Sequence, residues 1–410
     1  GEGRPQRHVQ SFQEIFLNKG MKTLSESLQD RILLLDGAMG SLIQTYGLTE
    51  KDFQGNLDLP EGTNVQGNND LLSLTRPDVI SDIHRRYLEA GADIITANTF
   101  SSQRVSQAEY HCGHLVKQLN TESVRIAKGQ AEAFSTTEKP RYVIATIGPT
   151  SKSLSISPDV NDPSFRAITY DELYDAYREQ ACALLEAGVD GILVETVFDT
   201  LNAKAAMDAI ETAMQERDIR VPMMLSITVN DRFGRILSGQ TLEALLASVS
   251  HFPLLSIGLN CSFGAEDMLP SLRTLAAKAP YFISAHPNAG LPNAMGQYDQ
   301  SPSMMAAQME HFVSEGLVNI IGGCCGTTPE HIAALLPLTT KGTPHALIAK
   351  EALGYSIQLS GLEPLITKDD DTVFVNVGER CNVAGSRKFL RLIKEKAYEE
   401  ALEIARQQVL

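Results

Sequence analysis

Three of the six cysteines in this chain stand where their chemistry can combine: Cys261, Cys324 and Cys325. Cys324 and Cys325 are adjacent and flanked by Gly322, Gly323 and Gly326, while Cys261 follows Asn260 at the end of an apolar run. Thiolates are ready ligands for zinc, and a catalytic zinc site keeps three protein ligands and one open position. Glycine tolerates positive φ, so the flanking glycines let two neighbouring residues aim both sulfurs the same way. Thr327 and Glu330, with Pro329 between them, predict a capping box and a helix start just beyond. The partial positive charge of a helix N-terminus favours thiolate over thiol. A disulfide competes with the metal and is disfavoured in a reducing compartment. An incidental pair of small buried thiols, the reading that suits Cys112 and Cys182, is the third possibility.

Three thiolates on a divalent zinc leave the centre with a net negative charge, which makes it a poor Lewis acid for a carbonyl or for water. Such a centre suits another task. It holds a fourth thiolate deprotonated near neutral pH, where a free thiol of pKa ~8.5 keeps its proton. The implied chemistry is attack by a substrate thiolate on an electrophilic carbon, so alkyl transfer to sulfur fits better than hydrolysis. Asp36 is followed by Gly37, Ala38, Met39 and Gly40, small residues whose backbone N–H groups suit a carboxylate. Glu195 ends another apolar run. Two carboxylates beside a thiolate site bind an ammonium, so an amino-acid thiol is expected, seated by Asp36, Gly37, Ala38 and Glu195. A plain turn role for Asp36 competes. Asn98, Asn230 and His286 are further candidates that serve equally well to satisfy loop backbone groups.

These residues need elements that bring them together. Short apolar runs at 32–35, 92–97, 142–147, 189–194, 223–229, 255–259, 281–285 and 317–321 alternate with helical patterns. Continuous apolar runs suit strands buried on both faces. Thr169 and Glu172 predict a capped helix closed by Gly188, and Pro77 opens another that stops at Gly91. Eight such units predict an α/β fold, a (β/α)8 TIM barrel, whose functional residues gather after the strands on one rim. Asp36, Asn98, Glu195, Asn230, Cys261, His286 and the Cys324–Cys325 pair all follow strands in this way. A doubly wound sheet is the runner-up and lacks its G-x-G-x-x-G loop. An aldolase-type barrel lacks a lysine at a strand end.

The chain as a whole sets bounds. Its 410 residues are 43% apolar and 21% charged, as in globular proteins. No apolar stretch reaches the ~20 residues of a membrane span. A net charge of −15 argues against nucleic acid or an anionic membrane as partner. Residues 1–20 read as a leader or extension without a secretory signal, and the expected location is cytoplasmic. A barrel is expected over 21–340, a linker over 341–371, and the truncated start of a further domain over 372–410, with a strand near 373–377 and an amphipathic helix from Glu395.

The motifs resemble the homocysteine S-methyltransferase family over about 300 residues. They are Leu35, Asp36, Gly37; Asn98, Thr99, Phe100; Gly148, Pro149, Thr150; Glu195, Thr196; Gly258 to Cys261; Pro287 to Gly290; and the Gly-Gly-Cys-Cys-Gly run. The resemblance implies Zn²⁺ held by Cys261, Cys324 and Cys325, with homocysteine seated by Asp36 and Glu195 and its sulfur at the open metal position. Family members use methylcobalamin with 5-methyltetrahydrofolate, S-methylmethionine, or betaine as methyl source. The run Gly378 to Ser386 resembles the opening of the pterin-binding barrel of cobalamin-dependent methionine synthases, where Asn382, Val383, Ala384 and Gly385 match positions that approach folate. This implies a homocysteine-activating module within such an enzyme. No cobalamin-binding Asp-x-His-x-x-Gly motif is present, so methylcobalamin would come from another module or in trans, and the remaining folate- and cobalamin-binding modules are the expected partners. A stand-alone methyltransferase and a zinc-stabilised docking scaffold are the alternatives.

Overall fold

Eight apolar runs form the eight strands expected of them. In the computed structural model, which describes residues 20–231, 233–293, 295–368 and 378–409, these are β1 (Leu33–Leu34), β2 (Ile94–Ala97), β3 (Tyr142–Ile147), β4 (Gly191–Val197), β5 (Met223–Ile227), β6 (Leu254–Asn260), β7 (Phe282–His286) and β8 (Ile320–Ile321). Neighbours pair in parallel in the order β1-β8-β7-β6-β5-β4-β3-β2. The ring closes between β1 and β2 through the bridge Leu35–Ile94. There the Asp36 N–H donates to the Ile94 carbonyl at 3.0 Å, and the Asp93 N–H to that of Leu34 at 2.7 Å. The fold is a (β/α)8 barrel.

Burial on both strand faces explains the continuous apolar runs. Inward side chains such as Leu33, Ile94, Tyr142, Leu193, Met224, Phe282 and Ile320 form one cluster, joined by Leu24 and Leu28 of the helix Leu24–Asp30. Those partners include the first residues of β1, β2, β3 and β7, so this helix plugs the N-terminal end of the barrel and leaves the C-terminal end open. Outward side chains pack under the surrounding helices in a second, larger cluster. The expected helix signals hold. The Thr169 N–H donates to the Glu172 carboxylate at 2.9 Å, and Gly188 closes that helix at φ 89°. Pro77 opens the helix Pro77–Glu89.

Two features differ from expectation. The helix after β8, Pro329–Leu335, is capped by Thr328 rather than Thr327, and the Thr328 N–H donates to His331 Nδ1 at 3.2 Å. Thr327 is diverted because its hydroxyl donates to the Cys324 carbonyl at 2.6 Å. The expected linker 341–371 carries a hairpin of β9 (Tyr355–Ser360) and β10 (Pro364–Lys368). Gly361 stands at its turn, and it lies along the helix Leu242–Val249, where the Thr241 N–H donates to the Leu362 carbonyl at 3.0 Å.

The chain divides at Ile366 and Thr367 into two compact units. In the second, helices Arg387–Lys394 and Tyr398–Val409 enclose Leu392, Ala401 and Ile404. The amphipathic helix expected from Glu395 begins at Tyr398, after Lys396 turns the backbone at φ 59°. The expected strand at 373–377 and residues 1–19 lie outside the described residues. Among the described residues no helix is long and apolar enough to cross a membrane.

Candidate active site

The open end of the barrel holds a cavity of about 510 Å³. It is lined by Asp36, Gly37, Ala38, Asn98, Glu195, Cys261, Cys324 and Cys325, so, with His286 also in the lining, nine of the ten barrel residues singled out from the sequence as ligands or substrate contacts converge on one space. Asn230 does not. It is exposed in the loop after β5, with its N–H donated to the Arg235 carbonyl at 2.7 Å. Asn382, Val383, Ala384 and Gly385 belong to the second unit and form an exposed turn, in which Asn382 Oδ1 accepts the Ala384 N–H at 3.0 Å and its carbonyl the Ser386 N–H at 2.8 Å.

The three sulfurs lie within 4.8 Å of one another, and those of Cys261 and Cys325 are 3.4 Å apart. All six cysteines are free. Zn–S bonds of about 2.3 Å in a tetrahedron require sulfurs about 3.8 Å apart, so the donor set and spacing fit zinc. The main chain works to hold this arrangement. Cys261 sits at φ 60°, a conformation that non-glycine residues adopt only when the surroundings impose it. Asn288 imposes much of it, because its Nδ2 donates to the Cys261 carbonyl at 3.0 Å while its Oδ1 accepts the Cys325 N–H at 3.1 Å. One side chain thus braces ligands from two strands. Gly326 takes φ 77°, and a Cβ there would lie 2.2 Å from that of Tyr298. The Tyr298 hydroxyl favours the Cys325 thiolate, a contribution the sequence did not signal.

Charge explains why this cluster calls for a cation. Thiol hydrogen bonds from Cys261 and Cys324 hold the Cys325 thiolate well below the ordinary thiol range. The same proximity pushes Cys261 and Cys324 upward. Unaided, the cluster stabilises one thiolate and resists three; a dication removes that resistance.

The carboxylates are placed by their strands. Asp36 is 3% exposed and accepts the Thr96 N–H at 2.8 Å and the Thr96 hydroxyl at 3.0 Å. Burial, joined by the negative charge of Glu195, pushes its pKa up to about 8 against the lowering effect of the Thr96 hydrogen bonds. Glu195, half-buried, is pushed up to about 7 by burial and by Cys325, against the lowering influence of Thr146. Among the described residues, those lining the cavity include no Lys or Arg, so neither carboxyl has the cation that an ammonium would supply. Gly37 is required by space, since a Cβ there would lie 2.6 Å from Thr327 Oγ1. The Ala38 N–H, expected to be open to a carboxylate, already donates to that oxygen at 3.1 Å.

Asn98 donates to the Asn69 carbonyl at 2.9 Å, fixing the far wall. His286 lines the floor and pairs with the Ser226 hydroxyl at 3.3 Å; burial lowers its pKa to about 4, so it is neutral. Sequence reasoning missed Asp70 as a lining residue. It is 4% exposed, and burial raises its pKa to about 6 against hydrogen bonds from Ser101 and Ser102. The polar run Asn68, Asn69, Asp70 was its only signal.

Fold and site together define a (β/α)8 barrel with a three-cysteine centre on its rim. Residues 33–337 match the family model described as homocysteine S-methyltransferase, and the chain belongs to that family. Among solved structures it is similar to the homocysteine methyltransferase MmuM of Escherichia coli. For the oxidised form the TM-score is 0.59 at 22% identity, covering 75% of this chain and 95% of that one. For the metallated form the TM-score is 0.56 at 22% identity, covering 79% and 98%. Likeness at this identity establishes the shared fold.

Proposed function

We propose that the barrel binds homocysteine as a thiolate and passes it a methyl group, as the homocysteine-activating module of a cobalamin-dependent methionine synthase. The observation that carries this is one cavity holding three convergent cysteine sulfurs and two cation-free carboxyl groups. Cys261, Cys324 and Cys325 would hold Zn²⁺, which when bound keeps a fourth thiolate deprotonated near neutral pH. Asp36 and Glu195 grip the substrate ammonium and so fix where the sulfur lies. Asn98 and the small residues Gly37 and Ala38 shape the wall around the amino-acid group.

In the transfer, the substrate sulfur forms a bond to the methyl carbon. The donor–methyl bond would break with its electron pair left on the donor, giving methionine; methylcobalamin, if supplied by another module, would provide the methyl. Neutral His286 neither neutralises the attacking thiolate nor competes with the ammonium for the acids. The likeness of Gly378 to Ser386 to a pterin-binding domain supports methylcobalamin, recharged from 5-methyltetrahydrofolate by further modules, as the methyl source. A reducing compartment such as the cytoplasm keeps the three thiols available.

A specific observation favours a second reading. Asp36, Asp70, Glu109 and Glu195 line the cavity without a Lys or Arg, which suits a cationic donor such as S-methylmethionine or betaine. Assay with each donor separates the readings. The test of the site itself is Cys324→Ser, which is expected to lose zinc and methyl transfer together. X-ray absorption at the zinc edge of the unaltered protein should move to an all-sulfur shell on adding homocysteine. Full zinc content and transfer in the variant would overturn the proposal.

A further inference from the structure

The cavity has two ends, one for sulfur and one for ammonium, and a single buried side chain touches the framework of both. Asn260, the last residue of β6, is completely buried. Its Oδ1 accepts the Thr196 N–H at 3.1 Å and the Ser226 hydroxyl at 2.7 Å. Its Nδ2 donates to Thr196 Oγ1 at 2.9 Å and faces Cys324 Sγ at 3.9 Å. The next residue in the chain is Cys261.

The contact with Thr196 matters because β4 is irregular there. Val194 pairs with Leu225 and Val197 with Ile227, so Glu195 and Thr196 stand opposite the single residue Ser226. This is a bulge, the device by which a strand re-aims a side chain, here Glu195, beside a functional site. Thr196 sits at φ 58°, which a β-branched residue adopts only when held. Asn260 does the holding, since its amide binds both the N–H and the hydroxyl of Thr196. Without that amide the bulge loses both its acceptor and its donor.

Resting on the homocysteine reading above, we propose that Asn260 is a positioning residue that sets the distance between the ammonium-binding carboxylate of Glu195 and the metal-binding sulfur of Cys324, and thereby selects the length of the amino-acid thiol. Homocysteine has two methylenes between its α-carbon and sulfur, and cysteine has one. A frame that fixes both ends distinguishes them; a frame loose at one end does not.

The experiment uses the full chain loaded with Co²⁺, whose thiolate charge-transfer absorption reports each thiol binding at the metal. Titration with homocysteine and with cysteine gives the ratio of their affinities. The unaltered protein is expected to prefer homocysteine. In Asn260→Ala that preference should fall at least tenfold, and the effects of Asn260→Ala and Glu195→Gln on homocysteine affinity should combine to less than their product, because both act through one frame. Thr196→Gly is the second variant. Glycine accepts the positive φ and keeps the backbone N–H contact while removing the hydroxyl contact and the small methyl group at the cavity wall, so the preference should fall while the melting temperature holds. A preference within twofold of the unaltered value in either variant, or effects that multiply in full, overturns the role of Asn260 alone. Unaltered protein that binds neither thiol at cobalt overturns the homocysteine reading, and this inference with it.

Discussion

If Asp36 and Glu195 hold the substrate ammonium as proposed, their protons tie substrate binding to pH. Both carboxyls have folded-state pKa values above the ordinary range, about 8 and about 7, chiefly because they are buried without a cation. The folded barrel therefore binds more protons at these groups than the unfolded chain from about pH 4 upward. Their contribution to stability is fully present below that point and is lost as pH rises through 7 and 8. His84 and His286, each lowered to about 4 by burial, act in the other direction: their contribution is present above about pH 6.5 and lost as pH falls toward 4. An ammonium placed between the acids ionises them. Homocysteine should therefore bind more tightly as pH rises from about 6 to 8, with protons released beyond the one from its thiol. Calorimetry in buffers of different ionisation enthalpy counts them. Glu195→Gln should lower that count and weaken binding by about 1.5–3 kcal/mol, the usual range for a hydrogen bond to a charged group. An unchanged proton count would remove Glu195 from the ammonium site.

At the scale of elements, what the sequence revealed and what it hid have physical causes. The eight strands were legible because burial on both faces leaves an apolar run with no polar alternation, and rim residues followed from the strand ends. Cys261, Cys324 and Cys325 were legible by type, since few roles compete for a glycine-flanked cysteine pair. Asn260 and Asn230 looked alike at that level: both are asparagines at a strand end. Only the three-dimensional path sends one into the barrel and the other to the surface. The hairpin of β9 and β10 was hidden because Gly361 and Pro364 give it a linker-like composition. Thr327 and Thr328 were also ambiguous, and their actual duties differ. Thr327 clips the turn after β8 to the loop after β1 through the Cys324 carbonyl and the Ala38 N–H. Thr328→Ala should cost about 1 kcal/mol of stability, as loss of a helix cap does, and leave metal affinity intact. Thr327→Val keeps the shape and removes both hydrogen bonds. It should weaken metal binding severalfold in competition with a chelator, at a similar loss in denaturant melts. Equal metal affinity in the two variants would remove the clip from the metal site.

On the scale of the whole molecule, the two units differ in what holds them. The first has a barrel interior, a helix-packed outer shell and a plug at its closed end. Among its described residues the second buries Leu392, Ala401 and Ile404. So few buried apolar side chains offset little of the entropy of ordering this unit's helices. Its helices are short, eight and twelve residues, where an isolated helix is marginal in water. Opening of the second unit should therefore require little free energy, and opening of β3 to β6 the full unfolding free energy of the barrel. Hydrogen exchange under native conditions reads this directly. Amides of Arg387–Lys394 and Tyr398–Val409 should exchange orders of magnitude faster than those of β5, and at a rate indifferent to Zn²⁺, while saturating zinc slows the slowest barrel amides by stabilising the folded state. Protection of the two helices equal to that of β5 would mean that their exposed apolar residues, Leu402 and Tyr398 among them, are covered, and would contradict a weakly held second unit.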